Sequence, residues 1–324
     1  MSGVKDDNIF RPQKIGDGKF TNVYTTKTKD KVVRIYKTFG HAKHRFAMYY
    51  NEWQVYNTVN SQYVQTCLHY AKEKMLFVER RACADLFNFL MFKKGNLSDA
   101  MLRHFKTHIM LGMNALHEAG IFCQDLKMEN VLLFPEKRSD GSWGLSCKLS
   151  DFNIVQGKGL IDLHRVYHDG CRRLTEATTT TDITVLTGAR KSMMGTYHAP
   201  EEYDESPFEV GFAADIFRFG IIMYHLYFLH RHVLADEKEE QHQFDLLRLF
   251  PIQSQELTYV RMQALRSDMM IMWGEDHAAF GYLDPCPSIR ACYYGEQVKF
   301  LDLTYTNPAP IEDERVKAEL HKIM

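Results

Sequence analysis

Residues 123–130 read CQDLKMEN and run directly into the apolar stretch VLLF at 131–134. Asp125, Lys127 and Asn130 set an acid, a base and an amide close together, just ahead of a short strand. The acid can accept the proton of an attacking hydroxyl. The amide oxygen can bind a hard cation, and the lysine can neutralise a phosphoryl group in flight. Phosphoryl transfer asks above all for charge neutralisation and in-line positioning. A second acid for the cation is then needed, and the SDFN stretch supplies Asp151. A cation such as Mg²⁺ takes few protein oxygens and completes its octahedron with water and phosphate. Asn130 and Asp151 make that small set. The competing reading is a capping acid in an ordinary loop, and the order of the pieces weighs against it.

Working back towards the N-terminus, KIGDGKFTNV places Gly16 and Gly18 behind Ile15 and ahead of a strand-like run that carries Val23. Glycines allow a tight turn and let backbone N–H groups approach phosphate oxygens. Thr21 stands where a third glycine of the pattern GxGxxG would fall, so an ordinary β-turn competes with a phosphate loop. Lys37 follows at the end of VVRIYK, where a strand-borne lysine can reach nucleotide phosphates. Glu52, in a helix-patterned segment, is expected to pair with Lys37 and fix it. A solvated surface pair is the alternative.

The chain has 324 residues, 45% hydrophobic and 25% charged, with 40 basic against 41 acidic side chains. Such a length exceeds one comfortable core, so two lobes are expected. The near-neutral balance gives no global argument for nucleic acid or a membrane surface. The seven cysteines show no CxxC pair and read as reduced thiols of the cytosol or nucleus. The N-terminus has no apolar core of signal-peptide length, and FGIIMYHLYFLH is too short to span a bilayer.

Alternation predicts strands over TNVYTTKT and KVVRIYKTF, with Lys29 and Asp30 at the turn, and a third over KMLFVER. Phe46, Tyr49, Tyr50, Trp53 and Tyr56 space as a helix. After about residue 84 helices take over. One is predicted with Ser98 as N-cap and Gly120 at its end. VLLF and LSCKLS read as strands joined by the turn-rich RSDGSWG. Residues 154–198 show little periodicity, which marks a functional or mobile loop. The tail EDERVKAELHKIM reads as a helix. A small β-rich lobe followed by a larger helical lobe leaves a cleft between them as the natural ligand site.

Over roughly residues 10–310 the sequence resembles the eukaryotic-type protein kinases. IGDGKFTNV is similar to their glycine-rich loop and Lys37 to the VAIK lysine. Glu52 matches the glutamate of the family's helix C. CQDLKMEN resembles the catalytic loop HRDLKPEN, DFN resembles DFG, HAPEE resembles APE, and DIFRFG resembles DxWxxG. The resemblance implies an α+β bilobal kinase-like fold: a nucleotide-binding lobe at 1–79, a hinge at 80–84 and a catalytic lobe at 85–324. It implies ATP and Mg²⁺ as cofactors. Asp125 would orient the substrate hydroxyl with Lys127 beside it, Lys37 and Glu52 would position phosphates, and Asn130 and Asp151 would bind the metal. Ile15, Gly16, Gly18, Val23, Lys37, Glu79, Arg81 and Asp85 would contact the nucleotide, with Val78 guarding the back of the adenine pocket.

The departures carry information as well. Cys123 and Gln124 replace the His and Arg before the catalytic Asp, which suggests activity without an activation-loop phosphate contact. Asn153 replaces the DFG glycine, and asparagine tolerates positive φ. Ile311 stands where an arginine partner of Glu201 is expected, with Arg315 nearby. Thr178 to Thr181 could be autophosphorylated or belong to a polar insertion. Thr196 is the first candidate for a threonine lining the substrate site. Lys127 after Asp125 is similar to the Ser/Thr branch. Glu129 and Asp85 fall where acids can pair with substrate arginines, although Asp85 could instead touch ribose or cap a helix. Basic protein substrates are therefore expected, with no nucleic-acid site and no membrane. The departures resemble a viral kinase, most nearly the baculovirus protein kinases, and that resemblance implies an arginine-rich, protamine-like protein substrate and action in the cytoplasm or nucleus of a host cell. The alternative is a pseudokinase acting as a nucleotide-binding or scaffold module.

Overall fold

A computed structural model describes residues 12–38, 42–93, 97–163, 199, 211–226, 279–283 and 287–311. The expected C-terminal helix over 312–324, the Thr178 to Thr181 run, Thr196, Glu201 and Arg315 lie outside the described residues.

Five antiparallel strands form the first sheet, in the order β1-β2-β3-β5-β4. They are β1 (Lys14–Asp17), β2 (Thr21–Thr25), β3 (Lys31–Tyr36), β4 (Cys67–Ala71) and β5 (Leu76–Arg80). In β3, Val32, Arg34 and Tyr36 are buried and the alternate residues are half-exposed, so one face looks into the protein. Against that face lies α1 (Ala42–Thr58). Its buried residues Met48, Asn51, Glu52 and Val55 recur at helical spacing, so two polar side chains sit on the packed face. A small aromatic core binds sheet and helix, with the Tyr49 and Phe77 rings stacked 4.7 Å apart.

The chain leaves the first sheet after Arg80 and enters the second at β6 (Ala84–Asp85). Within the crossing, the Arg81 amide bonds the Asp30 carbonyl and the Cys83 amide the Leu133 carbonyl. After α2 (Leu86–Lys93) comes the long α3 (Asp99–Glu118). The Ser98 side chain caps α3 by accepting from the Met101 amide, and Gly120 beyond its end has a φ of 71°, the left-handed conformation that suits glycine. Gly112 in mid-helix is also required. A Cβ there would lie 2.8 Å from the Tyr63 carbonyl and 3.0 Å from Leu149, so only glycine lets α3 lie this close.

Strand β7 (Ile121–Cys123) pairs with β10 (Val155–Gly157). Strands β8 (Val131–Lys137) and β9 (Trp143–Leu149) form the expected hairpin. They belong to a sheet of order β11-β9-β8-β6, whose last member β11 is Ala309–Pro310. The larger apolar core gathers α3, β7 to β9 and α4 (Phe212–Tyr224). The molecule is thus a β-rich lobe joined to a mainly helical one, the α+β bilobal kinase-like fold.

Candidate active site

The octapeptide 123–130 is held from below by α4. The buried Asp215 takes the Cys123 amide on Oδ2 at 2.7 Å, with His117 Nε2 at 3.2 Å from the same oxygen. Arg218 Nη1 donates to Asp215 Oδ1 at 3.3 Å and to the Cys123 carbonyl at 3.4 Å. Burial pushes the Asp215 carboxyl up, while His117 and Arg218 pull it back. Gln124 is buried, and its Nε2 has no partner among the described residues.

Beyond this anchor, Lys127 Nζ donates to Asp125 Oδ2 at 2.7 Å. Burial alone would lower the Lys127 ammonium, but Asp125 outweighs it and the pKa rises above the ordinary lysine value. Asn130 Nδ2 donates to the Asp125 carbonyl at 2.7 Å and to its Oδ2 at 3.2 Å. The amide nitrogen is therefore committed to Asp125, and Oδ1 is the atom of Asn130 left for another partner.

The DFN triplet meets this loop. Both the amide and the hydroxyl of Ser150 donate to the Asn130 carbonyl, at 2.9 and 3.0 Å, and Val131 pairs with Leu149. Asp151, next in the chain, has a φ of 61°. Asn153 is not among the positive-φ residues, so the expected use of asparagine for backbone shape is corrected. The strain falls on Asp151, which an acidic side chain tolerates better than most. Asn153 acts through its side chain instead: Nδ2 donates to Asp151 Oδ1 at 2.7 Å. Arg34 Nη1 reaches the same oxygen at 3.2 Å. Oδ2 of Asp151 accepts from no described residue. Burial pushes the Asp151 carboxyl up to about 7, against the pull of Arg34 and with the push of Glu52 and Asp125. Its side chain is nevertheless 32% exposed, so it can be reached from outside. Two uncommitted oxygens, Asn130 Oδ1 and Asp151 Oδ2, suit a hard cation that brings most of its ligands with it. No group of three or more acids, histidines or cysteines among the described residues could hold a metal alone.

Strand β3 corrects the expected Lys37–Glu52 pair. Arg34, not Lys37, shares a face with Val32 and Tyr36 and points inward; three positions on, Lys37 falls on the opposite parity and past the strand end. Arg34 Nη2 forms a close ion pair with Glu52 Oε1. Glu52 is fully buried; it also accepts from the Tyr36 hydroxyl at 2.5 Å and the Phe152 amide at 3.1 Å. Lys37 Nζ instead meets Asp17 Oδ1 at 2.5 Å. Lys14 and Lys37 together hold the exposed Asp17 carboxyl down to about 2.

The hinge assignment shifts in the same way. Val33 lies opposite Val78, and Val32 opposite Glu79; directly opposed residues share a face. Val78 therefore faces away from Arg34 and does not guard the inner pocket. Glu79, expected in the hinge against the nucleotide, is buried and accepts from Arg34 Nη2 at 2.8 Å and from the Tyr56 hydroxyl at 2.7 Å. Asp85 takes the capping role among its alternatives: Oδ1 accepts from the Asn88 amide at 2.8 Å at the start of α2. Arg81 lies in the crossing between the sheets. Ile15 is exposed, and Gly16 and Gly18 flank a tight hairpin closed by the Gly18 amide on the Thr21 carbonyl at 3.0 Å. Val23 sits opposite Arg34 across the β2–β3 ladder. Glu129 is exposed on the 3-10 turn Met128–Asn130.

Ile311 is buried in the apolar core and is no substitute for an arginine. Besides Arg218, the described residues of this lobe bury Arg290, on the helix α5 (Pro287–Lys299), whose Nε donates to the Ala213 carbonyl at 3.2 Å. A hydropathy reading assigns Arg34 and Arg290 to solvent. VVRIY is apolar at both parities, so its pattern does not find Arg34; the pairing of β3 with β5 does.

With the geometry in place, comparison with known proteins gives the family. The protein kinase domain matches residues 10–272, most of the chain, and the chain belongs to that family. It is also similar to the mitogen-activated protein kinase kinase kinase nsy-1 of Caenorhabditis elegans, 27% identical over 149 residues. That match covers 46% of this chain and 8% of the nematode protein. Members of the protein kinase family transfer phosphate to proteins and generally use ATP and Mg²⁺.

Proposed function

We propose that this chain is an active protein Ser/Thr kinase that transfers the γ-phosphate of ATP to hydroxyls on basic, arginine-rich proteins. The observation that carries the reading is the meeting of Asp125, Lys127 and Asn130 with Asp151 through the Ser150–Asn130 hydrogen bonds. Asp125, with Oδ2 occupied by Lys127 and Asn130, orients the substrate hydroxyl through Oδ1 and takes its proton. Lys127 is held within reach of the moving phosphoryl group. Asn130 and Asp151 would hold Mg²⁺, which would supply charge neutralisation at the phosphates. The cation facing those phosphates is Arg34, paired with Glu52, and Lys37 stays with the glycine hairpin. Glu129, exposed beside the catalytic loop, is the acid offered to a substrate arginine. A basic protamine-like substrate, action in the cytoplasm or nucleus, and a viral origin belong to the same proposal.

Arg34 also favours a second reading, a nucleotide-binding or scaffold module. A guanidinium is a planar fork and a lysine ammonium a compact point charge, so the exchange beside Glu52 is not conservative. One experiment separates the two. The purified chain is incubated with labelled ATP, Mg²⁺ and an arginine-rich Ser/Thr peptide, beside Asp125→Asn. The kinase reading expects transfer that falls roughly a hundredfold to ten-thousandfold in the variant. Equal background in both leaves the scaffold.

A further inference from the structure

Arg34 is surrounded by three carboxylates, and the least expected is Glu79. Its Oε1 takes Arg34 Nε at 3.3 Å and Nη2 at 2.8 Å, so one oxygen holds a whole edge of the guanidinium. Tyr56, on α1, donates to that same oxygen and accepts from Arg34 Nη2 at 2.9 Å. Glu52 takes Nη2 from the helix side. The Phe77 ring lies against the guanidinium, its centroid 5.5 Å from Cζ. Edge and face are both fixed, and Nη1 is the nitrogen directed to Asp151.

The geometry points to Glu79 as a positioning residue of the nucleotide site. It holds the Nε–Nη2 edge of Arg34 and so presents Nη1 on the side where Asp151 and an incoming phosphate lie. The inference rests on the nucleotide-binding reading above. Arg34 and Glu79 then form a matched pair in which each residue requires the other. A lysine at position 34 satisfies Glu52 as a point charge but leaves Glu79 buried beside it without the fork it was built around. Without Glu79, the guanidinium keeps Glu52 but loses the contact that orients it. A lysine together with an apolar residue at 79 removes both problems at once.

The test is a double-mutant cycle on the full chain, with Arg34→Lys, Glu79→Met and the double variant. Affinity for Mg²⁺·ADP is measured by calorimetry well below the melting temperature, together with KM for ATP, kcat and melting temperature. Each single variant is expected to weaken ADP binding about tenfold or more, and the double to return to within about threefold of wild type. KM for ATP should move more than kcat. A purely structural role would lower the melting temperature and leave the affinity of the folded protein unchanged. Additive losses in the double variant, or wild-type affinity in Arg34→Lys, overturn the inference. The two failures are distinguishable: wild-type protein that binds no nucleotide overturns the nucleotide reading itself, whereas wild-type binding with additive losses overturns the inference alone.

Discussion

Two of the joints around the site are held by opposite kinds of interaction. On the sheet side, Arg34 ties β3, α1, β5 and Asp151 together through formal charges. Behind the 123–130 loop, His108 on α3 does the equivalent task as a neutral ring. The Cys147 amide donates to its Nδ1 at 3.1 Å, so the proton must sit on Nε2, which donates to the Thr306 and Asn307 carbonyls at 3.2 and 3.1 Å. Burial holds His108 down to about 4. Both nodes join segments far apart in sequence. They differ in what removing one partner leaves behind: on one side stranded charge, on the other a neutral polar group.

The largest expected effect breaks the charged node. Arg34→Ala strands Glu52 and Glu79 in the interior and should cost about 3–5 kcal/mol, read as a shift in urea unfolding. Lys37→Ala, whose partner Asp17 is exposed, should leave the same curve where it was. A reversal of these outcomes would restore Lys37 as the lysine of the site.

The neutral node should fail in acid. A histidine with a depressed folded pKa contributes stability that is whole above its unfolded value near 6.5 and is lost as pH falls towards 4. For His108 that amounts to about 3 kcal/mol. His108→Gln should flatten the decline between pH 6.5 and 4 in equilibrium unfolding. An unchanged slope would mean that the ring is not the titrating group.

The charged node answers in the other direction, and solvent at the 32% exposed Asp151 side chain screens its larger shift. Asp151, raised to about 7, contributes stability that is whole below about pH 4 and is lost as pH rises through 7. Asp151→Asn should remove that decline from metal-free melting curves. Parallel wild-type and variant curves from pH 4 to 8 would contradict it.

The contrast also explains what could be read from the amino-acid order. The neutral, helical side announced itself: Ser98 and Gly120 bracket α3, and the turn-rich RSDGSWG joins β8 and β9 where expected. The convergence of CQDLKMEN with DFN was likewise visible, because short spacings and hairpin register bring them together. The charged side was misread by parity. VVRIY offers apolar residues on both faces, so nothing in hydropathy says whether Arg34 or its neighbours point inward. Only the pairing of β3 with β5 decides it, and that pairing also turns Glu79 inward. Strand β4 went unpredicted because its central residues Leu68, His69 and Tyr70 are exposed and show no alternation. Nor did local pattern mark β11, which depends on a partner more than a hundred residues earlier.

That late partner has a consequence for synthesis. Residues 302–311 lay Tyr305 against His104, give the Thr306 carbonyl to the Tyr63 hydroxyl and to His108, and close the edge of β9 with Ala309. Until the ribosome has released this stretch, β9 presents an open edge and the joint around His108 lacks its acceptors. The 123–130 loop is therefore translated long before its support is complete, and a nascent chain halted short of residue 302 should be the form most in need of a chaperone.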